Sequence, residues 1–191
     1  MMEQKARLRV CNLPEDACVL DLFCGNGHMY ELAYKSRVFE YHGVDRKKIH
    51  NPDICTLMDN NKFIDRHDIS KYNVFDLDDY GCPWSLLYVI LRKSRQRMLT
   101  VFLTDGLVTQ QKLGGKVAKW VSATERLPAK MNIPGINRFY EDIFATMLLD
   151  VAKRFEWTSE NACFFHNDRR TVYYWCLLFK NADPENKLKK Y

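Results

Sequence analysis

The chain has 191 residues, 47% hydrophobic and 28% charged, with a net charge of +5. That is ordinary composition for one folded domain with a sizeable core, and it excludes a disordered chain. No apolar run approaches the roughly 20 residues of a membrane helix and no apolar block follows Met1 to Val10, so a soluble, cytoplasmic protein is expected.

Residues 1–17 form a polar lead-in with Pro14, read as loop plus a short helix or strand. The apolar run 18–23 (Val19, Leu20, Leu22, Phe23) contains one acid, Asp21, and stops at Gly25-Asn26-Gly27. A helical segment from His28 follows at once. This predicts a buried strand, a glycine turn and a helix start, the arrangement in which a parallel α/β sheet binds a nucleotide-like ligand. Neither a dinucleotide nor a P-loop fingerprint is complete, since Tyr30 stands where a third glycine would fall and no Gly-Lys-Ser/Thr follows. A carboxylate beneath the turn favours a cationic or hydroxyl-bearing ligand over a phosphate.

A second strand, 39–45, ends in Asp45, which follows Gly27 by roughly the 20 residues at which such sites present a ribose-binding acid. A short third strand is expected at Lys62–Asp65, leading to Asp68. In the block Asn73 to Trp84 a short strand carries acids on alternate residues, Asp76 and Asp78, with Asp79 and Tyr80 following before a turn at Gly81-Cys82-Pro83. Ser85 is the expected N-cap of an apolar helix, Leu86 to about Arg97, whose basic end complements its dipole. Met98–Thr104 predicts another buried strand. Residues 107–136 lose periodicity, a length of loop that is commonly functional. A helix from about Asn137 to Phe155 precedes two terminal strands, 157–166 and 171–180, joined by the turn sequence Asn167-Asp168-Arg169-Arg170. Residues 181–191 are a polar, lysine-rich tail after a single domain spanning 1–180.

The seven cysteines are scattered, odd in number and without a Cys-x-x-Cys pair. They read as free thiols in a reducing compartment, with neither a disulfide framework nor a metal site expected. The mild positive charge is compatible with a nucleic-acid partner without demanding one.

The run Val19-Leu20-Asp21-Leu22-Phe23-Cys24-Gly25-Asn26-Gly27 resembles motif I of the class I S-adenosylmethionine-dependent methyltransferases. The order of strands and helices, with its terminal hairpin, fits the same family. The resemblance implies a Rossmann-like three-layer sandwich with a mostly parallel seven-stranded sheet and a terminal antiparallel hairpin. It implies S-adenosyl-L-methionine as cofactor, with Asp21, Phe23, Cys24, Gly25, Asn26, Gly27, Asp45, Arg46 and Asp68 around it, Asp68 on the adenine amine.

Asp76-Leu77-Asp78-Asp79-Tyr80-Gly81-Cys82-Pro83 is similar to the catalytic segment of the tRNA guanine N2-dimethyltransferases, and more loosely to that of other amine-directed nucleic-acid methyltransferases. Carried over, Asp78 orients the amine, Tyr80 stacks on the base, and Asp76 completes the acidic strand end. Asp79 departs from the family, which has proline there. The expected reaction is methyl transfer to an amine nitrogen of a nucleic-acid base, RNA before DNA. A small-molecule methyltransferase and a non-catalytic binding or partner subunit remain open. Cysteine-nucleophile chemistry is disfavoured, because no Pro-Cys segment exists.

Overall fold

The computed structural model describes residues 1–79, 83–106 and 138–182. Helix α1 (Met2–Val10) precedes strand β1 (Cys18–Asp21), a π-helical turn (Tyr30–Tyr34), β2 (Glu40–Asp45) and β3 (Cys55–Leu57). Then come α2 (Asn60–Arg66), β4 (Val74–Leu77), α3 (Trp84–Lys93), β5 (Met98–Asp105), α4 (Tyr140–Arg154), β6 (Trp157–His166) and β7 (Tyr173–Asn181). The strands form one sheet in the order β3-β2-β1-β4-β5-β7-β6. The first five are parallel, whereas β7 runs antiparallel to both β5 and β6. The fold is therefore the mostly parallel α/β sheet with an antiparallel ending that the sequence predicts.

Strand periodicity of two sorts the side chains. Leu20, Phe75, Leu77, Val101, Leu103 and Leu177 face a large core that includes α3 and α4. There Phe144 lies flat on Trp175, ring centroids 3.9 Å apart, and Trp157 donates its indole N–H to Leu91 O at 2.8 Å. Val19, Val74, Phe102 and Cys176 face the other way, toward α1 and the π-helical turn. By the same alternation Asp21, Asp76 and Asp78 all lie on the α1 side. Both faces are covered, as parallel strands require, and β4 is buried along its whole length.

Two local expectations are corrected. Residues 62–65 are helix, not strand: Asp59 accepts hydrogen bonds from the N–H groups of Asn61 and Lys62, capping α2, while Phe63 and Ile64 turn together into the core. The edge strand is instead the three-residue β3. Ser85 lies inside α3 and does not cap it; the helix starts behind Pro83 and stops at Ser94. Pro83 opens the chain into the helix with φ already near its helical value. The predicted irregular segment 107–136 and the tail from 183 fall outside the described residues. Among the described residues no helix is long and apolar enough to cross a membrane.

Candidate functional site

Because β1 to β5 are parallel, Asp21, Asp45, Leu57, Leu77 and Asp105 end at one edge of the sheet. The β1 chain leaves that edge through a tight turn. Gly27 N donates to Cys24 O at 2.8 Å, and Glu31 N to Gly27 O at 3.0 Å starts the following helical turn. Gly25 and Gly27 have φ of 49° and 74°, which favours glycine at both. Their surroundings differ. A Cβ on Gly25 would meet nothing nearer than Phe23 O at 3.8 Å and Asp45 Oδ2 at 4.0 Å. A Cβ on Gly27 would collide with the His50 ring, reaching Nδ1 at 2.7 Å. Gly27 thus makes room for the chain's own histidine, and Gly25 is the glycine that opens outward.

Asp45 is half-exposed at the end of β2. Its Oδ1 accepts from Lys47 N at 2.7 Å and Lys48 N at 3.2 Å, which fixes the carboxylate and leaves Oδ2 turned toward Gly25. Asp21 is different: it is 2% exposed, accepting from Phe23 N at 3.0 Å and from the Tyr41 hydroxyl at 3.0 Å. Burial, helped by the neighbouring Asp76, pushes its carboxyl well above the usual carboxylate range. Asp21 lies beneath the turn, with its carboxylate oxygens bonded to the chain's own Phe23 N and Tyr41 hydroxyl.

Asp76 on β4 and Asp78 just beyond it are tied to α1, the element that the polar lead-in forms. Arg9 forms a bidentate pair with Asp76, 2.6 Å from Nε to Oδ2 and 2.7 Å from Nη2 to Oδ1, and the Tyr34 hydroxyl adds 2.6 Å to Oδ2. One turn earlier on the same helix face, Lys5 Nζ reaches both oxygens of Asp78, at 2.7 and 2.8 Å. Thr104 Oγ1 donates to Asp78 Oδ1 at 2.6 Å, and Arg9 Nη2 stands 3.6 Å from Oδ2. Desolvation raises the Asp78 carboxyl, but Arg9 and Lys5 outweigh it and hold it below its ordinary value. Asp78 is therefore an ionised carboxylate, 20% exposed at its side chain, at the edge next to the glycine turn.

Asp76 cannot serve a substrate: it is fully buried, with both oxygens taken by Arg9 and Tyr34. Its role is to hold α1 on the sheet. Asp68 is also corrected. With α2 in place of the expected strand, Asp68 emerges before β4, at the opposite edge of the sheet. There its oxygens are bonded to Ser70 N and Ser70 Oγ, at 2.9 and 2.8 Å. Phe23 and Asn26 stay in the turn, Arg46 is exposed beyond β2, and the Cys24 thiol is buried beneath. Tyr80 lies outside the described residues.

Two features at the carboxyl edge escaped sequence reasoning. Asn60, which follows β3, is 8% exposed, and its buried Oδ1 has no hydrogen-bond partner among the described residues. The β6–β7 turn also comes to this edge, because Tyr173 pairs with Asp105. Exposed Arg169 and Arg170 of that turn and exposed Arg46-Lys47-Lys48 after β2 therefore line one rim. Arg92 and Lys93, in contrast, end α3 at the opposite edge, where Lys93 Nζ bonds His67 O at 3.4 Å.

Neither the protein-family models nor the curated protein sequences give a match to this chain. Solved structures do. A structure described as a hemolysin candidate from Lactococcus lactis superposes with a TM-score of 0.61 at 9% identity, covering 96% of this chain and 88% of that one. TYW2 from M. jannaschii, in complex with AdoMet, gives a TM-score of 0.58 at 10% identity over 94% of this chain and 75% of its own. The plantazolicin methyltransferase BpumL, with a pentazolic desmethylPZN analog and SAH, gives 0.53 at 12% identity over 94% and 82%. At these identities the likeness is one of fold: a mostly parallel α/β sheet with an antiparallel ending.

Proposed function

We propose that this chain is an S-adenosylmethionine-dependent methyltransferase acting on an amine nitrogen of a nucleic-acid base, RNA before DNA. The observation that carries the reading is the open side of Gly25 facing the oriented Asp45 carboxylate, with ionised Asp78 on the same edge two strands away. The cofactor's chemistry fits these groups: a ribose diol needs carboxylate acceptors, and Asp45 Oδ2 supplies one. Its adenine amine needs an acceptor, and the orphaned Asn60 Oδ1 at the end of β3 is assigned to it in place of Asp68. That TYW2 and BpumL are described with AdoMet and SAH supports the same cofactor.

When bound, S-adenosylmethionine supplies a methyl group on a sulfonium, which is electrophilic without further activation. Asp78 accepts an N–H from the substrate amine, localising the nitrogen lone pair that conjugation would otherwise spread into the ring. Thr104 and Lys5 fix Asp78 Oδ1, while Oδ2 holds one short bond and keeps acceptor capacity for that N–H. Tyr80 is assigned the stacking role on the splayed base. The basic rim of Arg46, Lys47, Lys48, Arg169 and Arg170 supports a polyanionic substrate over a neutral small molecule.

The test is incubation of the protein with tritiated donor and pools of tRNA, rRNA, DNA and metabolites. Label is expected in the RNA pool and to fall at least a hundredfold in Asp78→Asn. Label in metabolites alone, or transfer unchanged in Asp78→Asn, overturns the substrate class or the role of Asp78 respectively.

A further inference from the structure

Beneath the glycine turn, three side chains that bind soft metals converge from three separate segments. Cys24 comes from the loop after β1, His50 from the loop after β2 and Cys55 from the start of β3. Their ligand atoms all lie within 4.8 Å of one another. Cys55 Sγ is 3.5 Å from His50 Nδ1. A tetrahedral zinc ion with Zn–S about 2.3 Å and Zn–N about 2.0–2.1 Å separates its sulfur and nitrogen ligands by about 3.5 Å. We propose that Cys24, His50 and Cys55 form a Zn2+-class metal site with a fourth position left to water or an exogenous donor.

The backbone is cleared for this meeting at two glycines. A Cβ on Gly43, in the middle of β2, would stand 2.7 Å from Cys55 Sγ and 2.9 Å from Cys24 Sγ. Only glycine lets both sulfurs sit over that strand, the close approach that a glycine inside a strand marks. Gly27 does the same for the His50 ring, which Tyr30 and Tyr41 flank at 5.2 and 6.3 Å. Both cysteines are 5% exposed and His50 is half-buried, so an ion would enter past the histidine.

Two thiolates and an imidazole are a donor set for zinc or another soft ion and a poor one for Mg2+ or Ca2+. The spacing of 24, 50 and 55 matches no short zinc motif, which is why the sequence gives no sign of the site. The site does not depend on the cofactor reading.

Titration of the reduced protein with Co2+, followed by displacement with Zn2+, tests the proposal. One equivalent of Co2+ should give the intense d–d bands of a tetrahedral ion and a thiolate charge-transfer band, both abolished by Zn2+. Affinity should fall at least tenfold in Cys55→Ser and, independently, in the half-exposed His50→Ala, and stay unchanged in Cys11→Ser. A spectrum no stronger than aqueous Co2+, or equal affinity in His50→Ala, overturns it. So does a Cys24–Cys55 disulfide that persists in excess reductant. Calorimetry with S-adenosylmethionine on His50→Ala keeps this result separate from the cofactor reading.

Discussion

Arg9 and Asp76, 67 positions apart, meet as a bidentate ion pair with side chains only 2% and 1% exposed. Helix α1 is thereby locked to the centre of the sheet by charge as well as by packing, with Arg9 also lying over the Phe102 ring at 5.4 Å. Removing one partner leaves the other buried and uncompensated. Arg9→Met is expected to cost about 3–5 kcal/mol in urea unfolding. The double variant Arg9→Met/Asp76→Leu should recover part of that loss, since neither charge then remains. A double variant less stable than Arg9→Met would show that the pair contributes through geometry and not through charge compensation.

Asp78 gives the fold a dependence on acid. Its folded-state carboxyl is held below the ordinary value by Arg9 and Lys5 against desolvation. Its stabilisation is therefore complete above the ordinary aspartate range, near pH 4, and is lost as pH falls through the lower folded value. Lys5→Met weakens this hold. The variant should be less stable than wild type at neutral pH, with the difference shrinking below about pH 4. Denaturant unfolding at several pH values reads the effect directly.

Asp21 has the opposite sign. Burial and Asp76 raise its carboxyl, so the folded state binds the proton more tightly than the unfolded chain does. Its contribution falls as pH rises from the ordinary aspartate range toward neutrality. Asp21→Asn keeps an acceptor for Phe23 N and a partner for Tyr41 without the charge. The variant should equal or exceed wild type in stability at pH 7, and its stability should change less between pH 4 and pH 7. A large loss at pH 7 would mean that the ionised form is needed to hold the turn.

Asn60 separates binding from folding. Its Oδ1 is buried with no partner among the described residues, so Asn60→Ala removes an unsatisfied acceptor and should leave thermal stability unchanged or slightly higher. Affinity for S-adenosylmethionine should fall about tenfold, the loss of one hydrogen bond to a buried group. Reduced stability with unchanged affinity would assign Asn60 to the core instead.

Much of the architecture was legible in the chain. The buried strands announced themselves as apolar runs, the β1 turn by its two glycines, and the terminal hairpin by Asn167, whose Oδ1 accepts from Thr171 N and Val172 N. Residues 62–65 misled because two adjacent apolar residues, Phe63 and Ile64, suit either element, and Asp59 decides for helix from outside the window. That shift carried Asp68 to the far edge. Asp76 and Asp78 looked alike in sequence, as alternate acids on one strand. Tertiary contacts separate them, because Arg9 and Tyr34 close over one while the other stays at the rim. Lys5 and Arg9 sit four apart on one face of α1, a spacing visible in the sequence, but nothing local names carboxylates on a strand some 70 positions away as their partners. The Cys24–His50–Cys55 cluster is likewise a product of topology, assembled where β1, β2 and β3 lie side by side.

S-adenosylmethionine is proposed to bind at the edge between Gly25 and Asp45. Isothermal calorimetry with S-adenosylmethionine and S-adenosylhomocysteine, on wild type and Asp45→Ala, tests this. One site per chain is expected, with at least tenfold weaker binding in a folded Asp45→Ala protein. No binding by wild type, or equal affinity in Asp45→Ala, would contradict it.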